Sequence, residues 1–249
     1  MPPKFIFIIP YKNRLPQLTF FSKYIKYIME DYSDDEYEFY FSHQCCYNIF
    51  NRGGVKNIGF LAMKDKYPNH YKDINFIFND IDTMPSTKNL LDFNTNHNEI
   101  KHYYGFKFCL GGIFSIKGAD FEKINGFPNY WGWGGEDEII YRSAIQNNIT
   151  VNRDNFFYLG DMNILHIHDG LLRYVNKKNN YGTKRYKNNG LISLNNVRYN
   201  IHDNMIDIDN FDCGISNNDI EIKEFNITSN EKPFKSNTNF RNIKMKLNF

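Results

Sequence analysis

Five residues near the start, Phe5-Ile-Phe-Ile-Ile9, constrain the fold more than any other stretch of the chain. They are apolar without a break and include β-branched side chains, so neither face suits water. Burial on both faces is the habit of a parallel strand covered by helices on each side. Pro10-Tyr11-Lys12-Asn13-Arg14 follows as a polar loop, and Leu15 to Met29 then places Leu18, Phe21, Tyr24, Ile25 and Ile28 at helical spacing. Strand, loop and helix in that order open a nucleotide-binding α/β unit, whose ligands sit beyond the carboxyl ends of the strands. Lys12 and Arg14 in this loop are either phosphate contacts or plain solvated charges.

The same grammar continues. Glu36 to Ser42 alternates and reads as a second strand. Phe50-Asn-Arg52-Gly-Gly54 turns into a helix over Val55 to Lys66, and an arginine with glycines at a helix start suits an anion. Asn75-Phe-Ile-Phe-Asn79 is a third buried strand that runs straight into Asp80-Ile81-Asp82. Two carboxylates on one face at a strand end suit a hard divalent cation, which can hold a diphosphate; the plainer reading is a turn with two solvated acids. Residues 86–105 read as loop and short strand. Phe106 to Ile116 reads as a strand bent at Gly111-Gly112, a pair that marks close approach of a ligand or of backbone. Lys117 to Asn125 is a helix ended by Gly126.

Both tryptophans lie within Trp131-Gly-Trp133-Gly134-Gly135-Glu136-Asp137-Glu138. Glycines beside an indole let the backbone swing, and carboxylates beside that flat face suit the holding and deprotonation of a sugar hydroxyl. The stretch reads as a mobile lid carrying an acid–base group, followed by a helix over Glu138 to Asn147. Val151 to Leu165 contains short strands. His166-Ile-His168 on a strand puts two imidazoles on one face, a way to supply two metal nitrogens. Leu171 to Asn189 reads as a helix plus loop, Leu191 to Ile201 as a final core strand, and Asp219 to Ile227 as a hairpin. Residues 228–249 read as a polar tail.

With 249 residues and 41% hydrophobic content, one large α/β domain is affordable. The net charge of +2 does not suggest a nucleic-acid partner. No apolar run approaches the roughly 20 residues of a membrane span, and the start lacks a secretory n-region. The four cysteines, Cys45, Cys46, Cys109 and Cys213, show no CxxC spacing and read as reduced thiols. A cytoplasmic setting is therefore expected, or host cytoplasm or virion for a viral chain. The abundance of Asn, Lys, Ile, Phe and Tyr fits an AT-rich genome. Aromatics at 17% fit flat, sugar-like surfaces, and codon bias explains them as well.

From Phe5 to about Ile201 the chain resembles the β-1,4-galactosyltransferase family, glycosyltransferase family 7. Pro10-Tyr-Lys-Asn-Arg14 resembles that family's diphosphate-binding Pro-Phe-Arg-Asn-Arg loop, Phe50-Asn-Arg52 its uracil-contacting Phe-Asn-Arg, and Asp80-Ile81-Asp82 its Asp-Val-Asp. Gly111-Gly112 and Asn125-Gly-Phe-Pro-Asn-Tyr-Trp-Gly-Trp-Gly-Gly-Glu-Asp137 match almost letter for letter. His166-Ile-His168-Asp169 is similar to the xylose-acceptor branch.

The resemblance implies a GT-A type α/β fold: a mixed central sheet flanked by helices, one catalytic domain over 1–227 and a tail at 228–249. It implies Mn²⁺ or a neighbouring divalent ion on Asp82, His166 and His168, a UDP-sugar donor, and a glycan or glycosylated protein as acceptor. Asp137 would be the general base, Glu136 would hold acceptor hydroxyls, and Trp133 would cover the donor. Pro10, Tyr11, Lys12, Arg14, Phe50, Arg52, Asp80, Ile81, Cys109, Gly111, Gly112, Gly134 and Gly135 complete the expected substrate contacts. Departures from the family are Lys12 for an arginine, which loses bidentate geometry, and Cys109 where many members have a tyrosine crowding the donor's 2-position. The smaller residue leaves room for an N-acetyl group. The family's Golgi anchor and stem are expected to be absent. Rival readings are a binding module without turnover and a hydrolase. Glycosidases need two carboxylates flanking the bond, and adjacent Glu136 and Asp137 are expected to diverge.

Overall fold

The structure, a computed structural model, describes residues 1–168, 170–178 and 189–229. The first half runs β1 (Phe5–Tyr11), α1 (Leu15–Ile28), β2 (Tyr37–Gln44), α2 (Arg52–Lys66), β3 (Asn75–Asn79), β4 (Thr83–Pro85), β5 (Glu99–Gly105), β6 (Ile113–Lys117) and α3 (Gly118–Lys123). There follow α4 (Glu136–Gln146), β7 (Thr150–Asn152), β8 (Phe157–Tyr158), β9 (Ile164–His166), β10 (Leu172–Asn176), β11 (Asn195–His202), β12 (Met205–Asp212) and β13 (Ile222–Asn226).

The main sheet has the order β11-β12-β2-β1-β3-β6-β5-β7, with β8 also on β5. It is mixed: β1 is parallel to β2 and β3, β2 to β12, while β6 is antiparallel to β3 and β5. The opening apolar run explains the centre. Phe5 through Ile9 are all fully buried. Ile6 and Ile8 pack with Val55 and Ile58 of α2, whereas Phe5, Phe7 and Ile9 pack with Phe21 and Ile25 of α1. Alternate side chains thus feed two cores on opposite faces. Each such buried side chain contributes roughly 1.5–3 kcal/mol of hydrophobic stabilisation. Pro16 sits in the first turn of α1, where its missing N–H is not needed.

Several expectations are corrected. Residues 106–112 form a loop, and the strand starts only at Ile113, because Gly112 at φ +69 leaves the extended region. The described part of 171–189 contains the strand β10, and 179–188 lie outside the described residues. Ile222–Asn226 pairs antiparallel with β10, so 219–227 is no local hairpin. The 195–202 strand is the exposed edge of the sheet, not core, since only β12 flanks it and its asparagines face water. Helix α4 starts at Glu136, two residues earlier than expected. Asp169 and residues 230–249, most of the expected tail, lie outside the described residues. Among the described residues no helix is long and apolar enough to cross a membrane.

Candidate active site

The order of strand addition reverses at β1: α1 leads from β1 to β2 on one side, and α2 leads back over to β3 on the other, all three strands staying parallel. Such a reversal opens a crevice beyond the strands' carboxyl ends. β1 extends through Pro10 and Tyr11, which were expected in the loop, so Lys12 to Arg14 leave it on one side of the crevice and Asp80-Ile81-Asp82 leave β3 on the other. The Asp80 turn is pinned from below, where buried Asn79 donates to the Asp80 and Thr83 carbonyls at 2.7 and 2.8 Å.

The two aspartates do not share one face toward a single cation. Asp80 faces α2. Arg52 Nη2 lies 2.8 Å from its Oδ2, and buried Lys56 Nζ lies 3.0 Å from its Oδ1. Arg52 also reaches Glu136 Oε1 at 2.5 Å and Asp137 Oδ2 at 3.0 Å through Nη1. Glu136 and Asp137 therefore converge on one guanidinium instead of diverging. The first turn of α4 supplies both acids, where the helix dipole favours negative charge. Asn51 caps α2 by accepting from Gly54 N–H at 2.8 Å and so sets Arg52 at the helix start.

Two cations face three carboxylates here, so one negative charge is in excess. Burial, then the charges of Glu136 and Asp80, push Asp137 up to about 6 against the pull of Arg52 and Lys56. Burial also opposes the charge on Asp80, but Arg52 and Lys56 outweigh it and hold that carboxyl well below the usual range. Asp137 is 22% exposed, open enough to be reached. The 106–112 loop lies against it: Leu110 N–H donates to the Asp137 carbonyl at 2.9 Å, and a Cβ on Gly111 would meet Asp137 Oδ2 at 2.8 Å. The close approach expected at the glycine pair is thus one of backbone to the acid.

Asp82 faces the other way. The β4–β9 ladder pairs Thr83 with His166, and Ile167 N–H donates to the Asp82 carbonyl at 2.7 Å. This sets His166 Nε2 3.8 Å from Asp82 Oδ2, with Arg14 Nη1 3.4 Å from the same oxygen. His168 lies just past the end of β9, its ring centroid 4.4 Å from that of His166. Tyr104, buried on β5, has its hydroxyl 3.4 Å from His166 Nδ1. One carboxylate oxygen and two imidazoles form a donor set of the chemistry that Mn²⁺ and its neighbours accept, and the Tyr104 hydroxyl beside the second ring nitrogen helps to orient His166.

The remaining expected residues divide. Lys12 Nζ donates to the carbonyls of Cys46 at 2.5 Å and Gln44 at 3.3 Å, at the base of the crevice wall. Tyr11 packs its ring 4.8 Å from that of His43. Ile81 is buried, and Phe50 packs on the α2 core while its carbonyl accepts from Gly132 N–H. Cys109 is buried, its thiol donating to the Phe106 carbonyl at 3.6 Å and pushed up to about 12 by burial. Within the expected lid, Trp131 is buried and stacks on Phe211, whereas Trp133 is half-buried and stacks on Phe225 of β13. Trp133 N–H donates to the Tyr174 carbonyl at 2.6 Å. Gly134 N–H donates to Glu136 Oε2 at 3.1 Å, and Gly135 at φ +86 starts α4 in the left-handed region.

Sequence reasoning missed Lys56, Tyr104 and His102. Lys56 stands four residues after Arg52 on an otherwise buried helix, and that i, i+4 spacing was the available signal. His102 is buried on β5, bonds the Gly111 and Tyr104 carbonyls at 3.0 Å, and accepts from Arg153 Nε at 3.0 Å. Burial, then Arg153, pushes it down to about 4, so it holds the 106–112 loop as a neutral ring.

The profile described as the N-terminal region of glycosyl transferase group 7 matches residues 2–92, and that described as the N-terminal domain of galactosyltransferase continues over 92–169. The chain belongs to glycosyl transferase group 7. Among this group's members, β-1,4-galactosyltransferase 1 of Bos taurus is 34% identical over 168 residues, 62% of this chain and 39% of that protein. The rat β-1,4-galactosyltransferase 6 is 29% identical over 208 residues, 77% of this chain and 51% of that one. The chain thus spans about 39–51% of the length of these relatives. The catalytic domain of Drosophila β-1,4-galactosyltransferase 7, solved with xylobiose, superposes with a TM-score of 0.67 at 21% identity, covering 88% of this chain and 97% of that one. A mutant of that enzyme in complex with manganese, UDP-Gal and xylobiose gives a TM-score of 0.68 at 20% identity and the same coverage. The mixed α/β, GT-A type fold of this group 7 chain is therefore that of these enzymes.

Proposed function

We propose that this group 7 chain is an inverting, metal-dependent transferase that moves galactose or N-acetylgalactosamine from a UDP-sugar to a sugar hydroxyl, forming a β-1,4-type linkage. The observation that carries the reading is the two-sided Asp80-Ile81-Asp82 turn: an acid pair with a raised carboxyl on one side and a carboxylate–imidazole set on the other. Asp137 takes the proton of the attacking hydroxyl. Its raised proton affinity makes it a stronger base than an ordinary carboxylate while leaving it ionised at neutral pH. Arg52 orients it, and Glu136 holds acceptor hydroxyls. Asp82, His166 and His168 would hold Mn²⁺, with Arg14 yielding its ion pair. Once bound, the ion supplies positive charge to a leaving diphosphate. Lys12 and Arg14 border the diphosphate, and Trp133 shields the donor from water.

Cys109 in place of a bulkier side chain supports testing both donors. Release of UDP from UDP-galactose and UDP-N-acetylgalactosamine, each with Mn²⁺ and a sugar acceptor, tests the proposal; no turnover of either would overturn it. The His166-Ile-His168-Asp169 run, together with the likeness to an enzyme solved with xylobiose, supports a xyloside as the first acceptor to try. We read 1–227 as one catalytic unit and 228–249 as a tail. Truncation after 227 should leave transfer intact, and lost activity would contradict that division. The free thiols, Cys45 exposed among them, support a reducing, cytoplasmic compartment. Titration of all four thiols after denaturation in the presence of a chelator, without added reductant, would agree with it.

A further inference from the structure

A second polar cluster borders the site described above, beyond Tyr11 and Lys12. His43 lies near the end of β2 and Cys45 just past it, two residues on, with extended spacing that keeps both on one side of the strand. In the parallel ladder of β12 with β2, Asp207 lies directly beside His43, and Cys45 N–H bonds the Ile208 carbonyl at 2.9 Å. His43 Nδ1 is 2.8 Å from Asp207 Oδ1, and Cys45 Sγ is 3.4 Å from the same nitrogen. Ligand atoms of His43, Cys45 and Asp207 all lie within 4.8 Å of one another, the one such group of three among the described residues. His202 Nε2 stands 3.7 Å from Asp207 Oδ2.

We propose that His43, Cys45 and Asp207 form a zinc site that fastens the end of β2 to β12. Nitrogen, sulfur and oxygen donors together suit zinc, with bond lengths of about 2.0–2.3 Å that place ligand atoms of a tetrahedron about 3.3–3.7 Å apart. The sulfur–nitrogen separation already fits, and the His43–Asp207 pair opens by about half an ångström. On binding, the Cys45 thiol gives its proton to solvent as the S–Zn bond forms. His43 turns its Nδ1 lone pair to the metal and carries its proton on Nε2. Asp207 exchanges its bond to His43 for the metal, held from outside by His202, and water takes the fourth position. The surroundings favour a cation. Asp207 and Asp209 place negative charge beside Cys45, the acidic field that a divalent ion reverses.

The site would steady the loop that leads to Arg52. Gln44, next to His43, bonds the carbonyls of Asn48 and Ile49 and the N–H of Asn51 at 3.0, 3.1 and 2.8 Å. Tyr11, paired with His43 across β1 and β2, connects the cluster to the loop that leaves β1.

Cobalt is the probe, because a thiolate–cobalt charge-transfer band reports sulfur ligation, and Asp82, His166 and His168 offer no sulfur. Titrating the full chain with Co²⁺ should raise that band to one equivalent, with visible bands of tetrahedral intensity, and Zn²⁺ should abolish it stoichiometrically. Asp82→Ala and Cys46→Ser should keep the band; Cys45→Ser and Asp207→Asn should lose it, or lower Zn²⁺ affinity at least tenfold in competition with a chelator. Absence of the band, or its survival in Cys45→Ser, overturns the proposal, and neither result bears on sugar transfer.

Discussion

In the proposed reaction Asp137 is the residue that takes the proton, and its setting makes opposed demands. Three carboxylates share Arg52 and Lys56, and the surplus charge falls on Asp137. Asp137→Asn should lower turnover by about 10²–10⁴-fold, with UDP affinity by calorimetry nearly unchanged; near-native turnover would remove it as the base. The rate should fall tenfold per pH unit below about 6, where Asp137 is pushed up from 3.8 by burial first; a limb near 4 would contradict this setting. The same shift has a stability sign. A carboxyl raised in the folded state holds a proton that the unfolded chain releases, so native stability falls as pH rises between about 4 and 6. Asp137→Asn lacks that loss. Relative to the native protein it should therefore gain melting temperature at pH 8 compared with pH 4.

At the scale of elements, the site depends on how closely loops are pressed onto helices. Gly111 touches the base, and its φ lies outside the left-handed region, so alanine costs the backbone little. The added methyl would displace the Asp137 carboxylate instead. Gly111→Ala should reduce kcat on the order of 100-fold while melting within a few degrees of native; an unchanged kcat would mean the loop yields. Helix α2 is tied to the segment before the tryptophans by buried asparagines. Asn57 donates to the Phe127 carbonyl and to Asn129 Oδ1, both at 2.8 Å, and accepts from Phe127 N–H at 2.9 Å. Asn57→Ala leaves these groups unpaired and should destabilise the fold by about 1–3 kcal/mol per orphaned group, read by denaturant unfolding. These asparagines were illegible in sequence because codon bias explains an Asn-rich chain equally well.

Over the whole molecule, the parallel core was legible where burial is absolute. The apolar runs at Phe5 and Asn75, and the helix period that follows the first of them, admitted one reading. Polar strands were not legible: Leu172–Asn176 and Ile222–Asn226 pair only with each other, with 45 positions between their nearest partners Asn176 and Ile222, and no local period announces that partner. In the candidate site, residue types and order pointed to residues that the fold does gather beyond β1 and β3, but not to the partition of Asp80 from Asp82, which depends on side-chain direction after the β3 turn. That partition separates two functions. Asp82→Ala should abolish the Mn²⁺ dependence of UDP binding in calorimetry while leaving Asp137 on Arg52; unchanged binding would remove Asp82 from the metal set. The central claim, that Asp137 drives transfer to an acceptor, is tested most directly by UDP release from a UDP-sugar with Mn²⁺, measured with and without a sugar acceptor for native and Asp137→Asn protein. The account predicts release that requires acceptor and is lost in the variant. Release without acceptor, or equal in both proteins, would contradict it.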